Sequence, residues 1–353
     1  MIITRNQAIC MLFYVDYSEE NAKKCEKKIE NIGDFDICYN VDPKHPVLVS
    51  RQRIRGDPLT YRTYLRSGDI PDKNSKRKRI EFQTETQVIQ FINEVYLPEE
   101  PQNTNVYDMK SVSTVDIYDT VRKHTAIFEN KSVLSFSRWC SNARLSFLRA
   151  EEERKNNIRV RSCHVMDEQF HDDIKSAICQ FLPLYQESIK NLKRNGFEIV
   201  GYARKSPSND KNENRLKLLQ KMVDNLQNRS LATKTYVSFS SCASTPFSER
   251  DTTTSKSIIA KLNNVNGDTQ DMLHYLQSAD RDICLVSIDY AGLTSRSQEL
   301  KRLIENNDKL KKIAIDTFAL DNEIHLFDTK LLASDPTLLT KFDCRKKILQ
   351  RSK

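Results

Sequence analysis

A tyrosine, an arginine and a serine occupy alternate positions in the short segment GYARKS, as Tyr202, Arg204 and Ser206. The apolar run FEIVGY leads into this segment and predicts a buried strand. Side chains two residues apart in a strand point to the same face, so these three are expected to line up where the strand meets its loop. A serine hydroxyl beside a guanidinium suits attack on a phosphate, because arginine stays charged and binds two phosphate oxygens at once.

Two further stretches place serine, arginine and aspartate after predicted strands. CASTPFSERD comes after TYVSFS and offers Ser244 and Arg250. DYAGLTSR begins at the last residue of ICLVSID and offers Asp289 and Arg296. Each such residue also has a structural explanation, as a loop serine, a surface charge or a strand-end aspartate. The order of the stretches along the chain favours a common site.

Strands and helices alternate from residue 196 onward. The predicted strands are FEIVGY, TYVSFS, ICLVSID and KKIAID, and the predicted helices are NRLKLLQKMVDNLQN, DTQDMLHYLQSA and SQELKRLIEN. Asp268 is the expected N-cap of the second helix. This alternation predicts an α/β domain with a mostly parallel sheet and flanking helices, and such sheets carry functional loops at the carboxyl ends of their strands.

Taken together, these segments resemble the resolvase/invertase catalytic domain of serine recombinases over about residues 197–318. In that family the first strand ends in Tyr-x-Arg-x-Ser with the nucleophilic serine last. The second strand enters a loop with a serine and, six residues later, an arginine, and the third ends in Asp-Arg-Leu-x-Arg. The resemblance assigns the nucleophile to Ser206 and the rest of a catalytic site to Tyr202, Arg204, Gln220, Ser244, Arg250, Asp289 and Arg296.

The chain departs from the family pattern at three places. The loop between Ser206 and Gln220 is several residues longer than is usual. Ser241 stands where an acidic residue commonly precedes the loop serine by three positions. Asp289 is followed by Tyr290 rather than arginine, and DYAGLTSR is about two residues longer than the family's motif. These differences bear on whether catalysis is retained.

The resemblance implies DNA cleavage and rejoining through a covalent phosphoserine. This linkage conserves the energy of the phosphodiester, so no cofactor is expected. About 195 residues precede the domain, an order similar to that of the serine transposases of certain insertion sequences, which suggests an origin in a mobile element and a homo-oligomer acting on DNA. One alternative is a protein that kept the fold and lost the reaction, serving as a DNA-binding or assembly factor. Another is an unrelated α/β regulatory domain.

Basic charge is concentrated upstream. The 353-residue chain has a net charge of +8, and residues 51–80 alone hold ten Lys or Arg against three Asp or Glu. Such a stretch suits DNA, although a solvated loop or, for KRKR, a nuclear import signal explains it equally well. The candidate DNA-binding residues are Arg51, Arg53, Arg55, Lys76, Arg77, Lys78 and Arg79, with Arg138 and Arg144 near Trp139.

Three regions are expected. Residues 1–110 form an N-terminal region whose fold the pattern does not predict. Residues 111–195 are predicted to be helical, as a DNA-binding module such as a helix-turn-helix or as a bundle with a core tryptophan. Residues 196–353 form the resolvase-like α/β domain with a short tail.

Cysteine spacing and hydropathy limit the remaining classes. Nine cysteines without a CxxC pair favour free thiols over a disulfide framework or zinc module. Cys163, His164 and His171 are the nearest approach to a ligand cluster, and no metal site is predicted because four ligands at finger-like spacing are absent. Neither a membrane span nor a secretory signal is found, so an intracellular protein is expected, nuclear in a eukaryotic cell.

Overall fold

The computed structural model describes residues 2–40, 42–66, 80–207, 211–253, 256–318 and 323–343. The chain divides into two compact units, Met1–Leu184 and Tyr185–Lys353. Among the described residues, no helix has the length and apolar character needed to cross a membrane. The predicted DNA contacts Lys76, Arg77, Lys78 and Arg79 lie outside the described residues.

Unit 1 begins with two helices and a small antiparallel sheet. Each helix starts at a hydroxyl N-cap, because the Thr4 and Ser18 side chains accept hydrogen bonds from main-chain N–H groups of the first turn. The strand order is β2-β1-β3. The elements are α1 (Arg5–Leu12), α2 (Glu19–Ile32), β1 (Phe35–Tyr39), β2 (Val47–Ser50), α3 (Arg51–Gly56) and β3 (Arg62–Thr63).

The remainder of unit 1 combines helices with a four-stranded antiparallel sheet, in which β7 pairs with β4, β5 and β6. One hydrophobic core extends from Phe82 to Ile178, so it contains residues on both sides of position 110. The elements are α4 (Glu85–Val95), β4 (Tyr96–Leu97), β5 (Tyr107–Ser113), α5 (Thr114–Arg122), α6 (Val133–Ala143), β6 (Glu152–Lys155), β7 (Ile158–Met166) and α7 (His171–Arg194), a helix that begins in unit 1 and ends in unit 2.

The prediction that residues 111–195 are helical is wrong for residues 152–166, which contain strands β6 and β7. Helix α6 ends at Ala143, because Arg144 takes the left-handed conformation (φ 54°, ψ 49°) that terminates helices. A hairpin of β6 and β7 follows. The sequence of β7, IRVRSCHVM, has alternating β-branched residues in its first half, a pattern typical of strands.

Unit 2 is an α/β domain with a mixed five-stranded sheet. Its predicted strands and helices are confirmed with boundaries shifted by at most two residues, as is the Asp268 N-cap, which accepts from the Asp271 N–H. The elements are β8 (Glu198–Arg204), α8 (Asn212–Asn228), β9 (Lys234–Ser238), α9 (Lys256–Ile259), α10 (Thr269–Ser278), β10 (Ile283–Ile288), α11 (Tyr290–Leu293), α12 (Ser297–Glu305), β11 (Leu310–Asp316), β12 (Ile324–Asp328), α13 (Thr329–Ser334) and α14 (Pro336–Leu339).

The strand order of unit 2 is β12-β11-β10-β8-β9, with the first four strands in the chain parallel and β12 antiparallel to β11. The chain leaves β8 to form β9 on one side and then crosses to form β10 on the other. A reversal of this kind opens a crevice at the carboxyl ends of the two strands beside it, which is where open α/β sheets bind ligands. Here the crevice lies beyond β8 and β10.

Candidate active site

Ser206 follows β8 by two residues and lies at this crevice. Its hydroxyl oxygen accepts a hydrogen bond from Arg204 Nη1 at 3.2 Å, and its side chain is half-buried. The Arg204 side chain is 0 % exposed. The same Nη1 donates to the Ser241 carbonyl, and Nη2 donates to the Ala291 carbonyl. Arg204 thus connects the loop after β8 with the loops after β9 and β10.

Main-chain hydrogen bonds hold the same three loops together. The Lys205 N–H donates to the Ser238 carbonyl at 2.9 Å, and the Ser241 N–H donates to the Lys205 carbonyl at 3.1 Å. The Ser295 N–H donates to the Ala243 carbonyl at 3.1 Å. The peptide that carries Ser206 is therefore held by the segment after β9, and that segment is in turn tied to the segment after β10.

Arg250 is also 0 % exposed, but it is directed into the unit rather than toward Ser206. Its Nη1 donates to the Tyr202 hydroxyl at 3.1 Å and to the Leu293 carbonyl at 2.8 Å. Its other nitrogens donate to the Thr245 and Ala243 carbonyls. Arg250 therefore fixes the path of the loop after β9, and Tyr202 is a core residue whose hydroxyl is part of this network.

Asp251 extends the buried network. One carboxylate oxygen accepts from Ser238 Oγ at 3.1 Å and the other from Thr269 Oγ1 at 2.5 Å. Ser238 Oγ lies 2.8 Å from Ser241 Oγ, and Thr269 Oγ1 lies 2.9 Å from the Tyr202 hydroxyl. A hydrogen-bonded network of side chains thus runs from the Arg250–Tyr202 contact to Ser241, whose carbonyl accepts a hydrogen bond from Arg204.

Asp289, directly after β10, has an unusual backbone conformation, with φ 64° and ψ 150°. This region is almost restricted to glycine. Tyr290, at the position of the family's arginine, packs against the rings of His325, Phe327 and Phe342, with ring centroids 4.9 to 6.3 Å apart. The Tyr290 side chain is therefore part of an aromatic cluster.

None of the remaining predicted site residues Ser244, Gln220 and Arg296 is hydrogen-bonded to Ser206, whose hydroxyl partner is Arg204. Ser244 and Arg296 are exposed, the second at the N-terminus of α12. Gln220 is bound elsewhere, since its amide donates to the Asp224 carboxylate at 2.8 Å and accepts from the Asn263 N–H at 2.8 Å. Of the three arginines expected to converge on the serine, only Arg204 is hydrogen-bonded to it.

The upstream candidates that the structure describes are exposed on unit 1. Arg51, Arg53 and Arg55 are exposed on the short helix α3, and Arg53 stacks over the Tyr61 ring with its guanidinium carbon 5.4 Å from the centroid. Arg138 and Arg144 are exposed at α6. Trp139 packs against Phe128 and Phe136 and donates to Glu85 at 3.0 Å.

Sequence reasoning did not identify Ser241, Asp251 or Thr269 as parts of the site. Asp251 follows Arg250 directly, and this adjacency of a basic and an acidic residue, which is compatible with an ion pair at a helix start, was the local signal. Burial raises the pKa of the neighbouring N-cap Asp268 above its ordinary value. Within the described ranges, no group of three or more His, Cys, Asp or Glu side chains is arranged to hold a metal ion.

The chain was compared with protein-family models, with curated proteins and with solved structures. None of the three comparisons found a match.

Proposed function

We propose that unit 2 is a serine-recombinase-like domain that cleaves and rejoins DNA through a covalent phosphoserine at Ser206. The observation that carries the proposal is the hydrogen bond between Arg204 and Ser206 at the crevice beyond β8 and β10. Resemblance in the order of the segments adds to it. Arg204 ends β8, Ser206 and Ser241 follow β8 and β9, and Ala291 lies in α11 just after β10, so an open α/β sheet brings all four to one edge.

Arg204 would act on Ser206 rather than on the substrate. A fixed positive charge beside the serine oxygen stabilises negative charge that develops there as the hydroxyl loses its proton. The guanidinium is held by main-chain carbonyls of two neighbouring loops, so it needs little rearrangement when the reaction begins. Preorganised charges of this kind supply the largest single contribution to many enzymatic rates.

In the proposed step, Ser206 Oγ attacks the phosphorus of a DNA phosphodiester. The Oγ–P bond forms, the P–O bond to the leaving strand breaks, and the serine proton is transferred to the leaving oxygen, which becomes a strand-end hydroxyl. Attack by that hydroxyl, or by one from another strand, reverses the sequence and regenerates serine. Exposed Arg296 is the candidate for direct contact with the phosphate.

The test is covalent trapping on DNA. The purified chain would be incubated with supercoiled DNA and with nicked duplexes, denatured, and assayed for protein linked to labelled DNA. We expect an adduct at Ser206, identified by mass spectrometry of the peptide, and its loss in Ser206→Ala. Ser248→Ala, at an exposed serine of the following loop, is the matched control and should retain the adduct.

Two results would overturn the proposal. An adduct that persists in Ser206→Ala would place the nucleophile elsewhere. Absence of any adduct from the wild-type chain on both substrates, with Tyr290→Arg also failing to produce one, would exclude strand cleavage at this site.

The alternative is a protein that keeps this fold without the reaction and acts in DNA binding or assembly. The aromatic packing of Tyr290 and the inward direction of Arg250 favour it, because they leave fewer guanidinium groups to neutralise a phosphate. DNA binding that persists in Ser206→Ala, in the absence of any covalent adduct, is the result expected for this alternative.

A further inference from the structure

A buried network of hydrogen-bonded side chains passes through Asp251 and links the Ser206 loop to the core of unit 2. Asp251 is 8 % exposed, and its partners Ser238 and Thr269 are 0 % exposed. Asp251 itself has a left-handed backbone, with φ 58°. A carboxylate in such a place is costly unless hydrogen bonds to it compensate for the loss of water, so the contacts it makes are strong determinants of local structure.

The direction of every hydrogen bond in this chain follows from the carboxylate. An ionised carboxylate only accepts, and a hydroxyl has one proton to give. Ser238 Oγ is within hydrogen-bonding distance of both Asp251 and Ser241 but has one proton; when it donates to the ionised carboxylate, as Thr269 does, Ser241 donates to Ser238 and Tyr202 to Thr269. The hydrogen-bonded network then has one ordered arrangement of protons, in which the donors on both sides point toward the Asp251 carboxylate.

We propose that Asp251 is a positioning residue that orders Ser238 and Ser241 so that the Ser241 carbonyl holds Arg204 against Ser206. The assignment rests on the proposed function for the chemical role of Ser206, but the geometry it predicts is independent of DNA. Asp251 is linked to Ser241 by two hydrogen bonds through Ser238, and Ser241 is linked to Arg204 by one. Asp251 has no part in bonding the substrate.

A thiol at position 206 reports this geometry without any DNA. In Ser206→Cys the guanidinium of Arg204 should stabilise the thiolate and lower the pKa of the thiol below the usual value of about 8.5. The pKa would be read from the pH dependence of iodoacetamide alkylation, followed by mass spectrometry of the peptide that contains residue 206, so that the native cysteines do not interfere. Lys205, the adjacent charged residue in the chain, is unchanged in every variant.

Asp251→Asn added to Ser206→Cys should raise the pKa of the thiol by about one unit and slow its alkylation at pH 7 about threefold, because the loss of thiolate outweighs the higher nucleophilicity of the more basic thiolate. The amide has the same shape but donates from one side, so it forces part of the ordered chain to reverse. Arg204→Gln should give the same shift, and the combination with Asp251→Asn should add nothing, because the two residues act through one connection.

Asp268→Asn is the matched control. Asp268 is 3 % exposed and precedes Thr269, but its carboxylate accepts from the Asp271 N–H in the cap of α10. A general loss of stability would affect both variants, whereas positioning of Arg204 would be lost in Asp251→Asn alone. Ser241→Ala breaks the same connection without touching the carboxylate and serves if Asp251→Asn does not fold.

An alkylation profile unchanged by both Asp251→Asn and Ser241→Ala would overturn the proposal, as would an equal change in Asp268→Asn. Failure of the trapping experiment would reject strand cleavage and leave the thiol measurement standing, so the two proposals fail separately.

Discussion

At the scale of single residues, the most informative feature is the backbone of Asp289. A non-glycine residue at φ 64° and ψ 150° carries strain of about 1–3 kcal/mol, and such strain persists only where surrounding contacts impose it. The Asp289 N–H donates to the Asp316 carbonyl at 3.1 Å, which ties the end of β10 to the end of β11. The conformation thus places an aspartate at the crevice at a cost in stability.

Asp289→Gly should accordingly be more stable than Asp289→Asn by about 1 kcal/mol. Both variants remove the carboxylate, but only glycine adopts this conformation without strain, and its greater flexibility when unfolded offsets part of the gain. The free energy of unfolding in urea measures the difference. If Asp289→Gly is equal to or less stable than Asp289→Asn, the backbone is not strained as described.

The same residue offers a functional contrast. The phosphoserine adduct should be reduced at least tenfold in both Asp289 variants if the carboxylate contributes to the site, whichever of the two is more stable. Adduct yield from the two variants, normalised to the wild-type chain, is the measurement. Full yield in Asp289→Asn would remove Asp289 from the catalytic site.

At the scale of elements, the contact between β8 and α8 positions the first strand. A Cβ added at Gly201 would lie 3.2 Å from Leu226 Cβ and from Ala232 Cβ, closer than ordinary van der Waals contact. Glycine at this position in β8 therefore lets the helix pack directly on the strand that leads to Ser206.

Gly201→Ala should lower the free energy of unfolding of unit 2 by about 1–3 kcal/mol, the usual effect of overpacking a buried contact. Gly56→Ala is the control, because an added Cβ there meets nothing within 4 Å. Thermal or urea unfolding of the two variants measures the contrast. Equal stability of Gly201→Ala and the wild-type chain would mean that the helix moves away at little cost.

At the scale of the whole molecule, unit 1 holds two buried histidines whose charge state bears on its stability. His124 in the core of unit 1 is 8 % exposed and packs against Phe91 and His171, with ring centroids 5.0 and 6.1 Å away. Burial, reinforced by the charges of Lys175 and His171, lowers the pKa of His124 to about 4. Burial also lowers the pKa of His171.

Unit 1 should consequently lose stability as the pH falls from about 6.5 toward 4. In this window the unfolded chain binds a proton that folded His124 does not, so stability rises with pH at up to about 1.4 kcal/mol per unit for this group. Between pH 7 and pH 5 the free energy of unfolding should fall by about 2 kcal/mol, and His124→Gln should reduce this dependence. A pH dependence that is the same in His124→Gln would assign the effect to other groups.

DNA binding, if it involves the exposed arginines of α3, should depend strongly on salt. Each phosphate contact contributes about −0.9 to the slope of log affinity against log salt on duplex DNA, because counterions are released. Replacing Arg51, Arg53 and Arg55 with glutamine should make the slope less steep by one to three such contributions. Replacing Lys23, Lys24 and Lys27 of α2 with glutamine removes the same charge and should leave the slope unchanged. Equal changes in both triple variants would indicate net charge alone.

The sequence by itself determined the four parallel strands of unit 2 and its three longer helices, but not β12 or the short helices α9, α11, α13 and α14. The apolar runs, the helical periodicity after Ser206 and the Asp268 N-cap all depend on residues within a few positions of each other, and so the strands and helices were predicted with small boundary errors. The place of Ser206 just beyond a strand followed from the same local pattern. In unit 1 the left-handed Arg144 and the hairpin after it were missed, because a nearby helical pattern was extended past its end.

Only the tertiary structure decided what each polar side chain contacts. Arg204 and Ala291 are 87 positions apart, and Asp251 and Thr269 are 18 apart, so no local pattern pairs them. Whether an arginine is exposed, as Arg296 is, or buried among carbonyls, as Arg250 is, depends on which loops the sheet brings together. The strand order supplies that information, since it is the reversal between β9 and β10 that places three loops around Ser206 and directs Gln220 to a different loop.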